Sequence, residues 1–240
     1  MAAGALAVAL ASLMLHLHGG RWGYWRRPPA LPPGAARHRH FARLALRLLV
    51  HFGIVALGAL ALYGRLDAIV RFPLELEPAR ALALRWDGWP SWQWAAAGAA
   101  VGVLVAAVLE RRRPGSTLGD LRAVIPARRA ELGWGVLLAV AAGVTEEVFF
   151  RLLLPLTIAS LSGSPVAGFA VATMLFGYAH RYQGWRGMAA TTIVGAVLST
   201  VYLVSGRLWV AMLVHAAIDL NSLVLRPLLG GRLNPVRPAG

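Results

Sequence analysis

Glu146, Glu147 and Arg151 stand in the middle of an apolar run, residues 132–161, long enough to cross a bilayer. Each ionisable group at such depth costs roughly 2.5–3.5 kcal/mol on insertion scales, so three together mark a functional site before anything else is known. On a helix Glu147 and Arg151 lie four apart and share a face, where they can pair. Glu146 is turned by about 100° and stays available for other work.

The other ionisable residues inside the apolar runs of the second half are His180, His215 and Asp219. If the runs on either side of Gly163 form an antiparallel hairpin, residues equidistant from that glycine share a depth, and Glu146 and His180 are each seventeen residues from it. His215 and Asp219 are one turn apart on the last apolar run and present one polar face. A carboxylate opposed by an imidazole in a cavity that excludes water can hold and deprotonate a single water molecule. A second imidazole can then stabilise the oxyanion formed when that water attacks a peptide carbonyl. Glu147 paired to Arg151 reads as fixing the helix and the local field. The depth of His215 is less tidy, since it follows its outer turn by only nine residues, about 14 Å of helix rise, so tilt or a shifted turn has to absorb the difference.

The elements that must position these groups are helices in a membrane. The chain has 240 residues, 58% of them apolar, with a mean hydropathy of +0.61, well above a soluble domain. The formal charge of +14 comes from arginine without any lysine, which suits a GC-rich bacterial genome and a bacterial cytoplasmic membrane. The arginines collect in loops between apolar spans rather than in a basic patch with interleaved aromatics, so the basic partner is the lipid bilayer and not nucleic acid. The absence of cysteine excludes disulfides, thiol nucleophiles and Cys-ligated zinc.

Seven spans account for the pattern: residues 2–17, 44–63, 92–109, 132–161, 166–182, 187–204 and 208–225. Arginine-rich loops at 19–43 and 110–131 and a basic tail at 226–240 then fall on one side, with the N-terminus outside and the C-terminus inside. The first run has positive charge after it and none before it, the reverse of a secretory signal, and reads as a retained anchor. The connection at 64–91, where acids balance arginines and Trp86, Trp89, Trp92 and Trp94 crowd the far end, lies on the outer membrane surface. His16, His18, His38 and His40 read as interfacial or solvated histidines, and Arg47, one turn before His51, as an arginine snorkelling to the headgroups. Pro155 is placed to kink the fourth span. The expected architecture is an all-α polytopic bundle in three parts: membrane-anchoring spans and loops in 1–131, a catalytic core of four helices in 132–225, and the tail.

The motifs Glu146-Glu147-x-x-x-Arg151, Phe176-x-x-x-His180 and His215-x-x-x-Asp219 together resemble the three-motif signature of the CAAX protease and bacteriocin-processing family, which includes the Ras-converting endoprotease and bacterial Abi-type proteins. Order and spacing match over three separate segments within residues 132–225. The resemblance implies an intramembrane endopeptidase in which Glu146 with His180 activates water and His215 serves the oxyanion. Phe176, Glu147 and Arg151 come in as supporting residues. The substrate would be a peptide or a membrane-protein tail, cut in peptide maturation, sorting or bacteriocin-related processing. No His-Glu-x-x-His zinc helix is present. A metal-free, glutamate-type mechanism is favoured, while Glu146, His180 and His215 could still supply three ligands to zinc. Many family members carry Asn where this chain has Asp219. An amide can donate to an oxyanion and an ionised carboxylate cannot, so Asp219 is either protonated or orients His215. Asn221, six positions past His215, points to another face. Two other classes remain open: a serine protease using Ser162 or Ser164 with His215, which leaves the acidic cluster unexplained, and a non-catalytic scaffold or transporter built on the same buried polar network.

Overall fold

A computed structural model describes residues 1–18, 34–85, 121, 123–229 and 233. The regular structure among them is helical, with no strand. The helices are α1 (Ala2–His18), α2 (Ala35–Tyr63), α3 (Glu77–Leu84), α4 (Leu132–Glu147), α5 (Leu154–Ser162), α6 (Pro165–Ala179), α7 (Gly184–Ser205) and α8 (Leu208–Leu229). Three stretches, Ala35–Tyr63, Arg181–Ser205 and Leu208–Leu229, are long and apolar enough to cross a membrane, and α1 and α6 are shorter apolar helices. The chain is an integral membrane protein. The third span expected at 92–109, the tryptophan belt, and the arginines at 21, 26, 27, 111–113, 122, 232 and 237 lie outside the described residues.

Helices α4 and α5 form one rod through the centre, joined by a π turn at Val148–Leu153 in which the Leu154 N–H bonds back five residues to the Phe149 carbonyl. The cause is Pro155, whose ring would strike the carbonyl four residues earlier, that of Arg151; widening the preceding turn relieves it. The expected irregularity of this span therefore falls one turn before the proline, on the residues carrying Phe149, Phe150 and Arg151. A second π turn, Asn221–Leu225 within α8, likewise precedes a proline, Pro227. A third, Leu49–Ile54 within α2, has a different origin: the Ser12 hydroxyl of α1 donates to the His51 carbonyl and contacts His51 Nδ1, so a neighbouring side chain enters the helical ladder.

The rod turns back at Gly163, which caps α5 in the left-handed conformation with φ 71°, and Ser164 caps α6 by accepting from the Ala167 N–H. This gives the expected antiparallel hairpin, drawn tight where Gly168 lies against the backbone of Pro155. Helix α7 packs on α6, and α8 packs along α4. The N-terminal helices are not peripheral to this arrangement. The buried stripe Ala5, Ala9, Leu13 and Leu17 of α1 and Phe52 of α2 belong to the same apolar core as Phe149, Phe150 and Phe176, so the core runs across the division expected at residues 131 and 132.

On the expected outer side, the short turns Leu66–Ile69 and Leu74–Leu76 lead into α3, which lies against α6 and α7. Arg80 of α3 reaches the α7–α8 turn, donating to the Leu203 carbonyl and lying against Gly206. Straight helices rising from the level of His215 and Glu147 would end about 10 Å apart at Gly206 and Gly163. Arg80 of α3 lies at the shorter of these two ends, against Gly206.

Candidate active site

His215 is the meeting point. Its Nδ1 lies 2.7 Å from Glu147 Oε1, a buried hydrogen bond in which the imidazole N–H donates to the carboxylate. The other nitrogen, Nε2, is 4.0 Å from Glu146 Oε2 and 3.7 Å from Asp219 Oδ2. Both separations are too long for direct hydrogen bonds and suited to a bridging water. Glu146 and Glu147, adjacent in sequence and rotated apart on the helix, thus address opposite edges of one imidazole. Glu146 Oε2 is buried and has no hydrogen-bond partner among the described residues.

The contact depends on how closely α4 and α8 approach. A Cβ built on Gly143 would lie 2.8 Å from both the nitrogen and the Cβ of Ala216, so the backbones cross where only glycine fits. Gly143 is one turn before Glu147 and Ala216 is next to His215, and the crossing fixes their separation. Helix α2 meets α4 one residue before Glu146, with Gly53 against the Thr145 methyl.

Glu147 has a second duty. Its Oε1 is 3.3 Å from Arg151 Nη1, and both side chains are essentially inaccessible, at 0% and 1% exposure. The Arg151 guanidinium sits 4.1 Å from the Phe176 ring centroid and extends toward the Gly195 carbonyl, 3.4 Å away. A cation over an aromatic face in a desolvated setting gains about 2 kcal/mol or more, which helps offset burying the charge. Gly195 is needed here, because a Cβ would fall 2.9 Å from the Phe176 ring. Phe176 also meets His215 edge-on with centroids 5.8 Å apart and lies 4.8 Å from the His180 ring, so one aromatic side chain braces the arginine and both imidazoles.

His180 ends α6, where its Nδ1–H donates to the Phe176 carbonyl at 2.9 Å. That bond leaves Nε2 with the lone pair in the neutral ring. Glu146, His180, His215, Asp219 and Phe176 all line one cavity of about 230 Å³. Glu147 and Arg151 are not part of this lining, and two of the expected pairings differ in the structure. Glu146 and His180 share the cavity without a direct hydrogen bond, His215 being the imidazole next to Glu146. Glu147 is more than a partner for Arg151, since it holds His215 as well. Ser162 and Ser164 are hydrogen-bonded at the turn between α5 and α6 and are not among the residues that line this cavity, which counts against the serine alternative.

The expectation for His16 is overturned. It is 5% exposed, lines the cavity, and contacts Phe52 at 4.5 Å and His51 at 5.5 Å between ring centroids. Arg47 does not snorkel; it donates to the His16 carbonyl and caps the end of α1, as Arg181 does for the Leu17 carbonyl. The signal for this was present in α1, where the small-residue stripe is flanked by Ser12 and His16 one turn apart, a polar edge that an interfacial helix has no reason to carry beside its packed face. His40 also has a partner, the Ala123 carbonyl, and His38 lies against Trp134, while His18 is exposed as expected.

Residues 128–221 match the family described as Rce1-like, type II CAAX prenyl endopeptidase. The match covers 94 of the 240 residues, so the likeness is to the helical segment that carries the three motifs. The Rce1-like segment takes in α4 to α7 and the first part of α8, with all three motifs, and leaves α1 and α2 outside. Neither the curated proteins nor the solved structures contain a match to the chain. As placed, no three His, Asp or Glu side chains among the described residues are grouped to hold a metal ion. With His215 Nδ1 held by Glu147, Nε2 is the nitrogen that faces Glu146 and Asp219.

Proposed function

We propose that the chain is an intramembrane endopeptidase in which Glu146 is the general base. The observation that carries this reading is the unpartnered Glu146 oxygen facing His215 Nε2 at 4.0 Å, in a cavity that His180 also lines. A water held there gives one proton to Glu146 Oε2 as its oxygen attacks the scissile carbonyl carbon. The carbonyl oxygen becomes an oxyanion, which His215, entering the step as the imidazolium with a proton on each nitrogen, stabilises through its Nε2–H. Glu147 holds the ring in orientation from its other nitrogen, the part a buried carboxylate plays behind a catalytic imidazole. Collapse breaks the C–N bond, Glu146 returns its proton to the leaving amine, and His180 Nε2 accepts the proton of the new carboxylic acid. Asp219 acts on the same His215 nitrogen as a positioning residue. The mechanism needs no metal, and the substrate is a peptide or membrane-protein segment delivered from the bilayer.

The test compares protein termini in membranes from cells producing the wild-type chain or Glu146→Gln at equal levels. New termini that appear only with wild type, and that purified wild-type protein generates from the same substrate in liposomes, are the expected result. Identical sets of termini for the two proteins would sink the reading and favour a non-catalytic role for the buried network.

A further inference from the structure

The proposed base, Glu146, is gripped by α2 from both sides along its own helix. Just before it, Thr145 turns its methyl to Gly53: a Cβ on that glycine would lie 3.1 Å from Thr145 Cγ2. The Thr145 hydroxyl donates to the Ala141 carbonyl, which fixes the direction of the methyl. Three and four residues after Glu146, Phe149 and Phe150 hold the Phe52 ring at centroid distances of 4.9 and 5.2 Å. Phe52 also lines the cavity with Glu146. Gly53 and Phe52 both belong to the π turn Leu49–Ile54.

The inward-facing residues of α2, Leu44, Leu48, Phe52, Ala56 and Leu60, recur every four. On a regular α-helix such a repeat winds by about 40° per step, and the wider π turn takes back part of that winding. The turn leaves one backbone acceptor behind. The Val55 N–H bonds to the Val50 carbonyl, five residues back, and so passes over the His51 carbonyl. The Ser12 hydroxyl of α1, 4% exposed, donates to that carbonyl at 3.1 Å. With its hydrogen used there, its oxygen accepts from His51 Nδ1–H, also at 3.1 Å. A buried carbonyl without a donor is costly, so Ser12 favours the π form of this stretch over the α form. We propose that Ser12 is a positioning residue for Glu146: by holding the His51 carbonyl it keeps α2 in the π form, which sets Gly53 and Phe52 against α4 and with them the placement of the base. The inference rests on the endopeptidase reading for its effect on turnover, though not for the helix register. It gives α1, outside the Rce1-like segment, a part in the reaction without contact to substrate.

Two readouts on the full-length chain test this. Register is read without turnover by NMR of protein carrying methyl-labelled threonine in detergent micelles, through the nuclear Overhauser effect between the Thr145 methyl and the Gly53 α-protons. Ser12→Ala should lose that contact, and Ser12→Thr, which keeps the hydroxyl, should retain it. On the substrate found by terminus mapping, Ser12→Ala should lower kcat roughly ten- to a hundredfold, as expected for misplacing a reacting group by about 1 Å, with KM within about twofold. Ser12→Thr should recover most of the loss, which a general weakening of the fold would not allow. Should Ser12→Ala not fold, Ser12→Cys, a weaker donor of similar size, reads the same two quantities with smaller losses. An unchanged Thr145–Gly53 contact without the hydroxyl, a kcat equal to wild type, or Ser12→Thr protein that behaves like Ser12→Ala would overturn the inference. Absence of Glu146-dependent cleavage by the wild-type chain refutes the endopeptidase reading instead, and the NMR contact still decides whether Ser12 holds α2 in register.

Discussion

Replacing Gly143 by alanine perturbs the site without touching any group proposed to react. The added Cβ would meet the Ala216 nitrogen and Cβ at 2.8 Å and the Ala216 Cα at 3.0 Å, none of which can swing aside. Reaching ordinary contact takes roughly 0.6–1.2 Å of separation between α4 and α8. Transmitted one turn along, that stretches the 2.7 Å His215–Glu147 hydrogen bond to about 3.3–3.9 Å, at or beyond its useful range. Overpacking of this kind costs about 1–3 kcal/mol, and misplacement of a reacting group by about 1 Å can cost ~100-fold in rate. Gly133→Ala in the same helix is the reference, because nothing lies within 4 Å of its Cβ position and it gains the same helix propensity. Thermal denaturation in detergent and cleavage of the substrate found by terminus mapping should both fall for Gly143→Ala relative to Gly133→Ala. Adding Ala216→Gly removes one of the close contacts and should recover part of each loss. If Gly143→Ala matches Gly133→Ala in both assays, the close crossing does not position His215 and the argument fails.

Glu147→Gln leaves Arg151 buried without its counter-charge and His215 without its carboxylate partner, so it should lose about 3–5 kcal/mol of stability as well as turnover. Neutralising Arg151 in the same chain should restore stability but not activity, whereas Glu146→Gln should melt like wild type; stable, active Glu147→Gln protein would refute the orienting role. Chelator treatment followed by metal analysis should leave cleavage unchanged, and one zinc per chain whose removal reversibly stops turnover would overturn the metal-free mechanism. Outside the spans, Glu75 is held below the ordinary glutamate value chiefly by its hydrogen bonds with Arg65. A carboxylate with a depressed folded value stabilises fully above its unfolded value and loses that contribution as pH falls through the folded one. The melting temperature should therefore fall below the usual carboxylate range by more in wild type than in Glu75→Gln, and identical acid profiles would show that the pair contributes nothing.

Contacts repeated at one helical turn were legible in the residues themselves. Glu147 with Arg151, Phe176 with His180 and His215 with Asp219 are each four apart, so once the segments are helical the geometry of the helix places them together. The all-helical class and the hairpin about Gly163 followed in the same way, from apolar run lengths and a Gly-Ser-Pro turn. Contacts between helices were not legible. Glu147 and His215 are 68 residues apart and meet because Gly143 lets α4 and α8 cross closely, while Glu146 and His180, matched in depth along an ideal hairpin, share a cavity without touching. Depth counts residues along an axis, but contact also depends on rotation about it, and that rotation is set by packing. The same limit hid His16: a short apolar helix ending in histidine can lie at an interface or inside a bundle with identical composition. Only burial of Ala5, Ala9, Leu13 and Leu17 against α2 and α5, with Arg47 and Arg181 on the last carbonyls, decides that its imidazole enters the cavity.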